Sequence, residues 1–132
     1  MINRWKKSRT SVYNIGYHLI WCPKYRRRVL VNGIDNRLKE ILYSIATELD
    51  VTIETIEVMP EHVHLFVKST PIMSPAGIIS QMKGKSSRIL REEFPELKKR
   101  LPTLWTRSYY VESVGHISEE TIKKYIEDQK RN

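Results

Sequence analysis

The chain has 132 residues, 40% hydrophobic and 29% charged, with one cysteine and a formal net charge of +8. This length buries a domain-sized core without staples, the lone Cys22 excludes an internal disulfide, and no stretch is long enough for a membrane span. An isoelectric point of about 9.7 points to a polyanionic partner, because each phosphate neutralised by Lys or Arg releases condensed counterions. The basic residues fall in several clusters and not along one amphipathic helix, which speaks against a membrane surface. With no apolar signal core in Met1–Lys7, a cytoplasmic protein is expected.

Val12 to Cys22 is rich in aromatic and β-branched residues and stops at Pro23, so it reads as a strand. A basic turn follows, Lys24-Tyr25-Arg26-Arg27-Arg28, then the breaker Asn32-Gly33. From Asp35 to about Leu49, Leu38, Ile41, Leu42, Ile45, Ala46 and Leu49 keep helical spacing. Val51 to Val58 alternates as a strand, and Met59-Pro60-Glu61 turns it into a second strand, Val63-His64-Leu65-Phe66-Val67. Ser74-Pro75 reads as a cap and first residue of a helix running towards Phe94. Between Pro95 and Pro102 lies a short basic helical piece, and Trp105 to Val114 reads as a strand. Ser118 is the expected N-cap of a last helix, with Glu119 and Glu120 in its first turn.

Strand, helix, strand, strand, helix, strand is the split βαβ order of an α+β, ferredoxin-like (RRM-like) fold. It predicts an antiparallel four-stranded sheet with helices on one face, its first and third strands central, and an added C-terminal helix. One domain is expected over residues 1–132, with a core at about 10–115 and the last helix at about 118–131. The basic segment before Thr10 has no assigned role.

Two patterns carry chemistry. Residues His62-Val63-His64 lie in a strand, so both imidazoles project from the same face, and neutral imidazoles are common metal ligands. On the last helix Ile122, Tyr125, Ile126 and Gln129 form one stripe. A buried glutamine amide needs partners, and its oxygen is a competent ligand for a hard cation. Each pattern has a plainer reading: a wet strand face, and an amphipathic helix with a tyrosine at its margin.

His62-Val63-His64 resembles the His-hydrophobe-His signature of the HUH superfamily, and Tyr125-Ile126-Glu127-Asp128-Gln129 resembles the tyrosine helix of its single-tyrosine transposases. Further stretches have the same look: Trp21-Cys22-Pro23-Lys24-Tyr25-Arg26, Met59-Pro60-Glu61, Lys83-Gly84-Lys85-Ser86-Ser87-Arg88, Leu104-Trp105 and Ser108 to Gly115. The likeness spans nearly the whole chain. It implies an enzyme that mobilises an insertion sequence as single-stranded DNA, by cleavage and rejoining through a 5′-phosphotyrosine. It also implies Tyr125 as nucleophile and His62, His64 and Gln129 as ligands of one divalent cation, Mg²⁺ or Mn²⁺. DNA recognised as a hairpin, and a homodimer whose tyrosine helices complete each other's sites, follow from the same likeness. Gly115 offers a hinge for such an exchange.

For DNA contact the candidates are Lys24, Arg26, Arg27 and Arg28 with Tyr25 interleaved, and Lys83, Lys85 and Arg88 around Gly84; charge beside an aromatic platform suits single strands. Tyr109 and Tyr110 are rival phenols, expected to serve packing or stacking. His18 reads as a hydrogen-bonded structural histidine and Cys22 as a buried small residue; His116 is unassigned. Competing functions are a non-catalytic single-stranded nucleic-acid-binding module, although the aromatic RNP signature is missing, and a domesticated nickase acting on repeated hairpins.

Overall fold

Alternating apolar residues build a four-stranded antiparallel sheet in the computed structural model, which describes residues 5–8, 10–115 and 119–129, without the side chains of Glu119, Thr121, Ile122, Tyr125 and Gln129. Its strands are β3 (Ile15–Trp21), β4 (Thr52–Met59), β5 (His62–Ser69) and β6 (Tyr110–Val114), ordered β4-β5-β3-β6. The first and third strands of the split βαβ core, β3 and β5, are therefore the central pair. Two more short strands, β1 (Lys6–Lys7) and β2 (Val12–Tyr13), pair with each other.

Along β5 the pleat separates Val63, Leu65, Val67 and Ser69, all buried, from half-buried His62, His64, Phe66 and Lys68. The buried set packs with Leu19 and Trp21 of β3 against two helices, α1 (Ile34–Glu48) and α2 (Pro75–Glu93). Helix α1 contributes Leu38, Ile41, Leu42 and Ile45 to that core, and α2 contributes Ile78, Ile79, Met82 and Leu90. Ser74 caps α2, its hydroxyl accepting from the Gly77 amide at 3.0 Å, with Pro75 in the first turn. A short α3 (Glu96–Arg100) buries Leu97. Helix α4 (Glu119–Gln129) follows β6. Among the described residues no helix is long and apolar enough to cross a membrane.

Two expected strands are shorter than their composition suggested. The run from Val12 breaks at Asn14, whose amide oxygen accepts from the Lys68 ammonium, and β3 begins only at Ile15. The run from Trp105 makes one isolated bridge, to Pro23, and pairing in β6 begins at Tyr110. Trp105 is instead a core plug: its ring meets Trp21 edge-on at 5.9 Å, and its indole N–H donates to the buried Ser86 hydroxyl at 3.1 Å. Ser86→Ala leaves that N–H without its partner and should cost about 1–3 kcal/mol. Urea unfolding checks this, and in a Trp105→Phe background, where the donor is already gone, Ser86→Ala should cost much less. The expected cap Ser118, and His116, lie outside the described residues.

Candidate active site

Directly opposed residues of an antiparallel pair project from the same face. The register sets Ile20 opposite both His64 and Tyr110, His18 opposite Phe66 and Glu112, and Glu57 opposite His64. The face turned away from α1 and α2 therefore collects His18, His62, His64, Glu57, Tyr110 and Glu112. Gly16 is on this face too, and a Cβ there would come within 3.2 Å of the Phe66 ring. Its small size lets Phe66 lie over β3, where the ring packs against His18 with centroids 4.8 Å apart.

Each imidazole of the pair turns its Nδ1 towards a carboxylate. His62 Nδ1 is 3.0 Å from Glu61 Oε1, and His64 Nδ1 is 3.6 Å from Glu57 Oε2. The His62 hydrogen bond, with Arg28 adding its charge, holds the Glu61 carboxyl below the usual carboxylate range. An ionised carboxylate only accepts, so His62 Nδ1 is the donor. His64 Nε2 lies 3.0 Å from His18 Nδ1, and those two rings stack at 5.2 Å. His18 is thus hydrogen-bonded, as expected, but on the same face as the pair. The strand sequences hold no signal for that proximity, because it depends on cross-strand register.

The chemistry fits a divalent cation: two imidazoles on one rigid face, His62 with a carboxylate hydrogen-bonded at its Nδ1, and His64 able to ligate through Nε2 once it leaves His18. Among the described residues no three His, Cys, Asp or Glu side chains group as a cation cage. Tyr125 and Gln129 are carried by α4, and their side chains lie outside those described. The rival phenols are placed. Tyr110, on the histidine face, donates to Glu112 at 3.1 Å, and that bond together with the neighbouring negative charge raises its pKa. Tyr109 sits beneath the Lys83 ammonium, 5.9 Å from it.

The basic turn stands at the same end of the sheet. Leu30 N–H donates to Pro60 O at 3.1 Å, and Arg28 pairs with Glu61 at 3.0 Å, joining the turn to the β4–β5 hairpin. Tyr25 and Arg26 both have left-handed backbone, φ 60° and 53°, an unusual pair for residues with a Cβ. That turn leaves the Tyr25 ring 65% exposed with Lys24 above it at 5.4 Å. Arg26, Arg27 and Arg88 are exposed, and no ion pair among the described residues holds them. The other α2 candidates have internal work. Lys83 donates to Thr106 O at 2.5 Å and Ser108 O at 3.3 Å, burial lowers its pKa, and Lys85 pairs with Glu48 at 2.6 Å. Cys22 is half-buried.

Residues 11–129 match the family described as IS200-like transposases. The ISDra2 transposase TnpA of Deinococcus radiodurans is 42% identical over 126 residues, 94% of this chain and 90% of its own length. The transposase for insertion sequence element IS200 of Salmonella typhimurium is 34% identical over 119 residues, 89% of this chain and 78% of that one. A crystal structure of a transposase from D. radiodurans superposes with a TM-score of 0.78 at 41% identity, covering 94% of this chain and 97% of that chain. A REP-associated tyrosine transposase bound to a REP hairpin shares the fold at 13% identity, with a TM-score of 0.60 over 93% of this chain and 67% of its own.

Proposed function

This chain belongs to the IS200-like transposases, enzymes that cleave and transfer DNA strands, and from that premise we propose that it cuts and rejoins single-stranded DNA with Tyr125 as nucleophile. The observation that carries the reading is the imidazole pair on the open sheet face beside an exposed arginine-rich turn. His62, His64 and Gln129 would hold a divalent cation, Mg²⁺ or Mn²⁺. When bound, such a cation supplies Lewis acidity at a phosphate oxygen.

The Tyr125 hydroxyl oxygen bonds to phosphorus, the bond from phosphorus to the 3′ oxygen breaks, and that oxygen takes up a proton. The 5′ phosphate stays on the tyrosine. A 3′-hydroxyl from another strand then attacks the phosphotyrosine and releases the phenol. The covalent link conserves the phosphodiester's energy, consistent with a chain that carries no G-x-x-x-x-G-K-[ST] loop. Arg26 and Arg27 neutralise phosphates, and Tyr25 offers a ring for a base to stack on.

We place the docked helix α4 in a homodimer, each site receiving Tyr125 from the partner, and the protein in the cytoplasm, acting on hairpin-bearing ends of its element.

The test is a covalent adduct. With Mn²⁺ and internally labelled single-stranded hairpin DNA, protein-linked label should survive denaturation, fall to background with EDTA, and be absent with fully duplex DNA. Retention only as a complex that denaturation dissolves would support a binding module instead.

A further inference from the structure

We infer that Glu61 is a positioning residue for His62, setting the imidazole as its Nδ1–H tautomer so that Nε2 is the nitrogen offered to a cation; this rests on the metal-site reading above. The geometry divides the two carboxylate oxygens between two tasks. Oε1 accepts from His62 Nδ1 at 3.0 Å, and Oε2 accepts from Arg28 Nη1 at 3.0 Å. Arg28 therefore fixes the plane of the carboxylate, and the carboxylate fixes the ring. The Glu61 side chain is 18% exposed although Arg28 is 72% exposed, so the bond to His62 is shielded while its brace remains at the surface.

The consequence is chemical as well as geometric. A neutral imidazole has one N–H and one lone pair. A proton held on Nδ1 by an ionised acceptor leaves the lone pair on Nε2, where free imidazole in water favours the opposite tautomer. A carboxylate behind a ligating histidine also raises its basicity, an arrangement whose loss elsewhere costs 10- to 100-fold in metal affinity or activity. Glu57 lies directly across the strand pair from His64, but its carboxylate is 3.6 Å from that Nδ1, beyond hydrogen-bond distance, so the tautomer role falls to Glu61 alone. Arg28, a DNA-contact candidate by composition, acquires through Glu61 a task within the protein.

The experiment is long-range ¹H–¹⁵N correlation on ¹⁵N-histidine-labelled, metal-free protein at a pH where the rings are neutral. The His62 signals should report Nδ1–H in the parent and mainly Nε2–H in Glu61→Ala. Glu61→Gln keeps an acceptor and should stay between the two. Mn²⁺ titration should show affinity lower by about 10- to 100-fold in Glu61→Ala, with Glu61→Gln less affected and Glu61→Asp partly rescuing. His62→Ala, titrated in parallel, tests the metal site itself. If His62→Ala leaves Mn²⁺ binding intact, the metal reading fails while the tautomer result still decides the role of Glu61. A parent protein with His62 as Nε2–H, or a Glu61→Ala protein with unchanged tautomer, overturns the inference.

Discussion

Tyr125→Phe should abolish the covalent protein–DNA adduct, a loss of about 1,000-fold or more, the scale on which removal of a covalent nucleophile is felt. The substitution deletes one oxygen and keeps the ring, so folding and non-covalent DNA binding should be nearly unchanged. A gel-shift assay beside the denaturing gel separates the two effects. The rival on the open face is Tyr110, whose hydroxyl donates to Glu112 at 3.1 Å; Tyr125 is preferred because it stands in the tyrosine-helix motif that the chain shares with the family. Tyr110→Phe should therefore keep adduct formation. An adduct that persists in Tyr125→Phe and vanishes in Tyr110→Phe would reverse the assignment.

His64→Ala should reduce Mn²⁺ affinity by about 100-fold or more, since even outer-sphere partners of metal ligands are worth 10- to 100-fold, and the adduct should fall with it. Calorimetric titration reads the affinity. The stability cost should be limited to about 1 kcal/mol, from the lost hydrogen bond to His18, because His64 is on the half-buried outer face and not among the core side chains. The same variant tests the shared dimer. Equal mixing of His64→Ala and Tyr125→Phe subunits with free exchange makes half the dimers mixed. If sites are shared, each mixed dimer has one complete site, so activity should return to about a quarter of the parent's. If each chain completes its own site, the mixture stays inactive.

The ferredoxin-like order was legible because its signals are local. Helical spacing in Leu38, Ile41, Leu42 and Ile45, the Ser74-Pro75 start and the two-residue turn before His62 each act within a few residues. The strand bounds shift where tertiary contacts override composition. Trp105 has strong strand preference yet is held by Trp21 and Ser86 in the core. Lys83 and Lys85 are DNA-contact candidates by composition, and the fold gives each an internal partner as well: one braces the 106–108 backbone and the other pairs with Glu48. Nothing in a run of basic residues tells a solvated lysine from one whose partner lies more than twenty positions away.

That His62 and His64 share a face was settled by the chain alone, since alternation along one strand is a property of backbone geometry and needs no neighbour. Which groups meet them was not. Glu57, His18 and Tyr110 reach the same face only through the pairing of β4, β3 and β6, and a slip of one residue would send each to the helix-covered side. Register is chosen by the burial of Leu19, Trp21, Val63, Leu65 and Val67 against α1 and α2. The assembled core thus decides the surroundings of a histidine pair that two alternate positions had already aligned.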